Sequence, residues 1–116
     1  MTNDGLQASA VLAALPSSNM PRSEAFFERL IGRPVDERPM PVLAQWSWGS
    51  STLQIVDDAQ RAGGGLATII VPDMAAALAG ARARGVAIDS SDGTVVASVA
   101  VIEDPDGNQL TIVQAR

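Results

Sequence analysis

An internal repeat constrains this chain more than any single motif. The stretches "MPRSEAFFERLIGRPV" and "VPDMAAALAGARARGVAI" each open on a proline, run through an amphipathic helical pattern and stop at a glycine. They lie about fifty residues apart, and each is preceded by one apolar strand-like run and followed by more. A repeat of this kind is a property of the whole fold, because each copy must bury its apolar face against the other. With 116 residues the chain suits one compact domain spanning 1–116, built from modules at about 8–60 and 66–114, rather than two independent domains. The expected class is α+β, with each half reading as a strand, a helix and then further strands.

The local readings follow the same order twice. Ala8 to Leu15 is an apolar run ended by Pro16 and reads as a buried strand. Ser23 to Ile31 reads as a helix capped by Asn19 or Ser23, with Phe26, Phe27, Leu30 and Ile31 on one stripe and Gly32 and Pro34 ending it. "VLAQWSW" and "STLQIV" read as a hairpin around Gly49, Ser50 and Ser51. If those three residues form the loop, Trp48 lies opposite Thr52 and Trp46 opposite Gln54 on one face. "RAGGG" reads as a flexible connection. "LATIIV" is then a strand, Pro72 and Asp73 open a helix from about Met74 to Arg84, Gly85 closes it, and "TVVASVAVI" and "QLTIV" are strands.

Composition matters mainly through absences. The chain has no His, Cys or Tyr, and all eight of its basic residues are Arg. This removes disulfides, thiolate nucleophiles, imidazole ligands, Ser-His triads and Schiff bases. Any metal would need oxygen ligands, which suit magnesium, calcium or manganese better than zinc. A net charge of -5 with scattered Arg residues argues against nucleic acid. No apolar run reaches the roughly 18 residues needed to span a bilayer. "ASAVLAAL" lacks the preceding Lys or Arg of a signal peptide, so a cytoplasmic location is expected and no membrane contact.

The closing stretch "EDPDGNQLTIVQ" admits three readings: a calcium loop, a pair of catalytic carboxylates, or a tight turn. A calcium loop of the EF-hand kind wants a Glu near the twelfth position, and none follows there. Glu103, Asp104 and Asp106 read as solvated at the turn, without the raised pKa that acid catalysis needs. A hairpin turn remains, with Pro105 fixing one dihedral and Gly107 or Asn108 taking positive φ. Asp57 and Asp58 likewise read as a solvated strand end.

From about Ala8 to Gln114 the sequence resembles the glyoxalase, bleomycin-resistance and extradiol-dioxygenase superfamily, the vicinal oxygen chelate proteins. The resemblance rests on "AFFERLIGRP", "VPDMAAALAGARARGV" and "DPDGNQLTIVQ", the last being the most specific. It implies paired β-α-β-β-β modules whose sheets curl into a half-open cup, and a homodimer. In the metalloenzymes of the family, His and Glu residues in that cup bind a divalent metal. Carried over one at a time, those positions fall near Leu12, on Gln54, near Leu66 and on Thr111. None is an imidazole or a carboxylate, and one amide with one hydroxyl cannot repay the dehydration of a dication.

The resemblance places Gln54 in the cup, and the hairpin pairing above then places Trp46 and Trp48 there too. These two Trp residues read either as core or dimer-interface filling, or as an aromatic wall for a ligand. The candidate ligand-binding set is therefore Leu12, Trp46, Trp48, Gln54, Leu66 and Thr111, with no catalytic residue, no metal and no cofactor. The expected function is metal-independent binding of a small apolar or aromatic molecule, for sequestration, carriage or sensing, and the chain leans away from being an enzyme. Two alternatives stand beside it: a superfamily lyase, isomerase or dioxygenase with an atypical or absent metal site, and a scaffold-only dimeric interaction module. Fold alone does not choose among them.

Overall fold

A computed structural model describes residues 5–88, 95–96 and 98–115. The first module contains β1 (Ala13–Ser17), α1 (Met20–Ile31), β2 (Leu43–Trp48) and β3 (Ser51–Asp57). The second contains β4 (Leu66–Val71), α2 (Met74–Ala83), β5 (Val95–Val96), β6 (Val99–Glu103) and β7 (Gln109–Gln114). The strands form two sheets, ordered β1-β3-β2 and β4-β7-β6-β5. In each, the strand before the helix pairs in parallel with the last strand of its module, and the others pair antiparallel. The repeat is thus one topology used twice, as the α+β reading expects. In the first module the strand after the helix is reduced to an isolated bridge, Glu37 with Gln45. Pro34, Pro39 and Pro41 surround that bridge, and prolines cannot donate to a ladder.

Three expectations about the elements need correction. The first strand begins at Ala13 rather than Ala8, since its pairing with β3 runs only from Ala13–Leu53 to Ser17–Asp57. Leu6, Val11 and Leu12 are exposed instead of buried. Pro16 does not end the strand, because β1 lies at a sheet edge where a missing N–H costs no ladder bond. "TVVASVAVI" is two antiparallel strands rather than one, for Val96 pairs with Val99 and Val95 with Ala100. Thr94, Ala97 and the Asp89–Gly93 part of "VAIDSSDG" lie outside the described residues. The third correction, to the hairpin register, is given with the site below.

The helices carry the ends that the sequence suggests. Asn19 caps α1, its Oδ1 accepting from the Arg22 N–H at 3.1 Å, so the helix starts three residues before Ser23. Gly32 ends it at φ +94°, donating its N–H to the Glu28 carbonyl. Asp73 caps α2 by accepting from the Ala76 N–H at 3.0 Å. Each helix covers one face of its sheet. Leu15, Phe27, Trp46, Leu53 and Ile55 fill the first interface and Met74, Leu78, Ala100, Ile102 and Ile112 the second. Leu110 of β7 belongs to the first cluster, and Phe26, Leu30 and Ile69 pack against both. Among the described residues, no helix is long and apolar enough to cross a membrane.

Candidate functional site

The closing turn fastens the two modules together. Asp104 folds back on it: Oδ1 accepts from the N–H groups of Asp106 (3.0 Å) and Asn108 (2.9 Å). Its Oδ2 accepts from Asn108 Nδ2 at 2.8 Å. Asn108 is fully buried, and its Nδ2 also donates to the Pro16 carbonyl at 2.7 Å. The Oδ1 of Asn108 accepts from the N–H groups of Gly63 (3.0 Å) and Gly65 (2.8 Å). Asp106 accepts from the Ser18 hydroxyl, the Ser18 N–H at 3.2 Å and the Arg22 guanidinium at 2.7 Å. Gly107 supplies the positive φ, at +94°.

Two sequence expectations are thereby overturned. Asp104 and Asp106 are not solvated: Asp104 is buried and the Asp106 side chain is 5% exposed. Burial pushes the Asp106 carboxyl up, but the Ser18 hydroxyl and N–H and the Arg22 charge outweigh it, leaving the pKa below its ordinary value. An anion so held is a structural acceptor rather than an acid catalyst. The connection "RAGGG" is not loose either. A Cβ on Gly63 would lie 2.7 Å from the Asp106 carbonyl oxygen. One on Gly65 would lie 2.8 Å from both Asn108 Oδ1 and Leu15 Cδ2. These glycines allow a close approach of backbones.

The hairpin turns on two residues, Gly49 (φ +62°) and Ser50, not three. The register is Trp48–Ser51, Ser47–Thr52, Trp46–Leu53 and Gln45–Gln54. A one-residue slip sends every side chain to the other face, and the Trp residues accordingly leave the face of Gln54. Trp46 is fully buried beneath α1, 6.1 Å from the Phe27 ring, and its Nε1–H donates to the Arg33 carbonyl at 3.0 Å. It is core and not a ligand wall.

Trp48 follows on that same face but beyond the core, 42% exposed, with the Arg33 guanidinium 4.9 Å from its ring centroid. Arg33 is fixed by two bonds to Asp36 and one to the Ser47 carbonyl. The bond from Arg33, helped by the Ser47 N–H, holds the Asp36 carboxyl at about 2.

The opposite, helix-free face of the first sheet carries a polar row that the sequence reading missed. Gln54 Nε2 donates to Gln45 Oε1 at 3.1 Å, and Gln45 Nε2 reaches Glu37 at 3.4 Å. Ser47 and Thr52 share a hydroxyl bond at 3.1 Å beside it. The only available signal was the correct loop length, which would have aligned Gln45 with Gln54. On the second sheet, Thr111 lies between Thr68 and Val101 on the helix-free face, with Leu66 two residues before Thr68. Leu66 is 76% exposed and Leu12 45%. These positions offer amides, hydroxyls and hydrocarbon, a donor set that does not fit a divalent metal. Among the described residues, no three acidic, His or Cys side chains cluster as metal ligands.

A concavity lies between the modules, an open groove of about 590 Å³. Its floor comes from the buried sides of both modules, through Leu53, Ile69 and Leu78, and Trp48, Ile70 and Arg84 stand along it. Thr52 and Thr68 also line it, and they connect it to the helix-free faces. Thr111 is the cross-strand partner of Thr68, and Gln54 lies one same-face step beyond Thr52. Of the predicted set, Trp48 lines the groove, Gln54 and Thr111 adjoin its lining, Leu66 lies further along β4, Leu12 stands in the exposed N-terminal segment, and Trp46 is absent from it.

No family model matches the chain, and no curated protein sequence matches it. Solved structures do. A glyoxalase / bleomycin resistance protein from Catenulispora acidiphila superposes with a TM-score of 0.81 at 25% identity, covering 94% of this chain and all of the other. TnmS3, an antibiotic binding protein from Streptomyces sp. CB03234, gives 0.71 at 25% identity, covering 97% of this chain and 100% of that one. The bleomycin-binding protein of Streptomyces verticillus, solved with copper(II)-bleomycin, shares the fold with a TM-score of 0.72 at 21% identity over 97% of this chain and 100% of its own. With both modules and their connections matched over almost the full length, the chain belongs to the glyoxalase/bleomycin-resistance, or vicinal oxygen chelate, superfamily.

Proposed function

We propose that this single domain is a metal-independent small-molecule-binding protein that takes an apolar or aromatic molecule into the groove between its modules. The observation that carries the reading is the groove itself: at about 590 Å³, it falls within the roughly 300–1,000 Å³ of ligand pockets and is walled mainly by hydrocarbon. Trp48 offers an aromatic surface at its edge, already oriented by Arg33. Thr52 and Thr68 supply hydroxyls within it, and Gln54 and Thr111 extend the polar surface onto the helix-free sheet faces. The neutral donor set supports binding without a metal. Similarity to an antibiotic binding protein and to a bleomycin-binding protein supports a carrier or sequestering role.

Leu12, Leu66 and Ile70 are exposed apolar groups beside this surface, and a second copy of the chain in a cytoplasmic homodimer would cover them. The test is titration of metal-analysed protein with divalent cations and with a panel of aromatic molecules, read by Trp emission. The expected result is quenching by at least one aromatic ligand, lost in Trp48→Phe while Trp46 still reports a folded core. Tight stoichiometric metal, or silence towards the whole panel, would overturn the proposal.

A further inference from the structure

Among the described residues, the groove has one charged group in its wall, Arg84, and it has no carboxylate partner there. Among the described residues, four ion pairs engage Arg22 with Asp106, Arg33 with Asp36, Arg38 with Glu24 and Arg61 with Asp58. Arg29, Arg82 and Arg84 have no carboxylate partner among the described residues, although the chain as a whole carries -5. Arg84 lines the groove. It follows the last turn of α2 and crosses to the other module, where its Nε donates to the Arg29 carbonyl at 2.6 Å and its Nη2 to the Leu30 carbonyl at 3.2 Å. The guanidinium therefore caps the C-terminus of α1, where the helix dipole favours a cation.

Two glycines make room for it. A Cβ on Gly32 would lie 3.0 Å from Arg84 Cζ, and one on Gly80 would lie 3.1 Å from Nη1. Helix capping uses Nε and Nη2 of the Arg84 fork, and among the described residues Nη1 has no acceptor. A solvent-exposed cation held in place by two backbone carbonyls, with a free edge and an apolar cavity beside it, is a geometry that binds an anionic group on a hydrophobic body.

We propose that the groove selects amphipathic organic anions, with Arg84 anchoring the anionic head while the groove takes the apolar body. This rests on the groove being the ligand site, and it adds the charge of the ligand. The charge complementarity is local, set by Arg84, and runs against the net charge of the chain.

The test compares three probes with the same tail, decanoate, decanol and decyltrimethylammonium, each below its micellar concentration. Affinity is measured calorimetrically for the wild type and Arg84→Gln. Decanoate is expected to bind the wild type about tenfold more tightly than decanol, with the cation weakest, and Arg84→Gln is expected to erase that order while decanol affinity holds. Should Arg84→Gln fold poorly through loss of the α1 cap, salt decides the matter in the wild type. Added sodium chloride must weaken decanoate and leave decanol unchanged. Equal binding of decanoate and decanol, or a preference that survives Arg84→Gln or high salt, overturns the proposal and leaves the groove standing as a neutral site. Failure of all three probes to bind overturns the groove reading as well.

Discussion

Replacing Asn108 by Ala should cost more than any other single change at the junction of the modules. The amide makes four hydrogen bonds from a fully buried position, to Gly63, Gly65, Pro16 and Asp104. Truncation leaves two part-buried backbone donors, one part-buried carbonyl and one oxygen of the buried Asp104 carboxylate without their partner. Each costs roughly 1–3 kcal/mol when left unsatisfied. A water entering the vacated space recovers part of this, so the expected loss is about 3–5 kcal/mol, a large share of the 5–15 kcal/mol typical of a whole domain. Urea unfolding followed in parallel by far-ultraviolet circular dichroism and by Trp emission measures it, since Trp46 reports the buried core. Asn108→Asp supplies a second reading. Its carboxylate can still accept from Gly63 and Gly65 but faces the Pro16 carbonyl and the Asp104 carboxylate. Its destabilisation should therefore be greatest at neutral pH and partly relieved towards pH 5, as the new carboxyl takes up a proton. An Asn108→Ala loss below about 1 kcal/mol would refute the idea that this side chain holds the modules together.

Gly65→Ala should destabilise by about 1–3 kcal/mol through contact with Leu15 and Asn108, and Gly63→Ala by more, because its Cβ meets the Asp106 backbone at φ +94°; thermal melts test the order. Stability should decline as pH falls below about 4. The folded pKa values of Asp36 and Asp106 are both depressed, so their stabilisation is complete above the ordinary carboxylate range and is lost as pH falls through the folded values, near 2 for Asp36. Asp106→Asn should lower stability at pH 7 and flatten that acid limb, and an unchanged limb would count against the Arg22 and Ser18 contacts. Trp46→Phe should cost about 2–3 kcal/mol, combining lost volume with the lost bond to the Arg33 carbonyl. Trp48→Phe should cost about 1 kcal/mol or less and leave a blue-shifted emission from Trp46 alone.

Local chemistry decided much of this protein before any tertiary contact formed. The caps at Asn19 and Asp73, the stop at Gly32, the turn at Gly107 and the doubled strand-helix-strand order are short-range consequences of residue type, and all are readable from the chain. So is the neutral character of Leu12, Gln54, Leu66 and Thr111, because no folding can place an imidazole where the sequence has none. What the sequence could not decide was the face on which each strand residue sits. Side chains alternate with period two, so a loop of two residues rather than three moved Trp46 from the open face to the core and put Gln45 beside Gln54. It could not decide the long-range partners either. The bond from Asn108 to Pro16 spans 92 positions, and the reach of Arg84 to the end of α1 spans 55. Such contacts depend on how one module meets the other, and that meeting turned a glycine-rich connection into a packed joint and opened the groove where a ligand can lie.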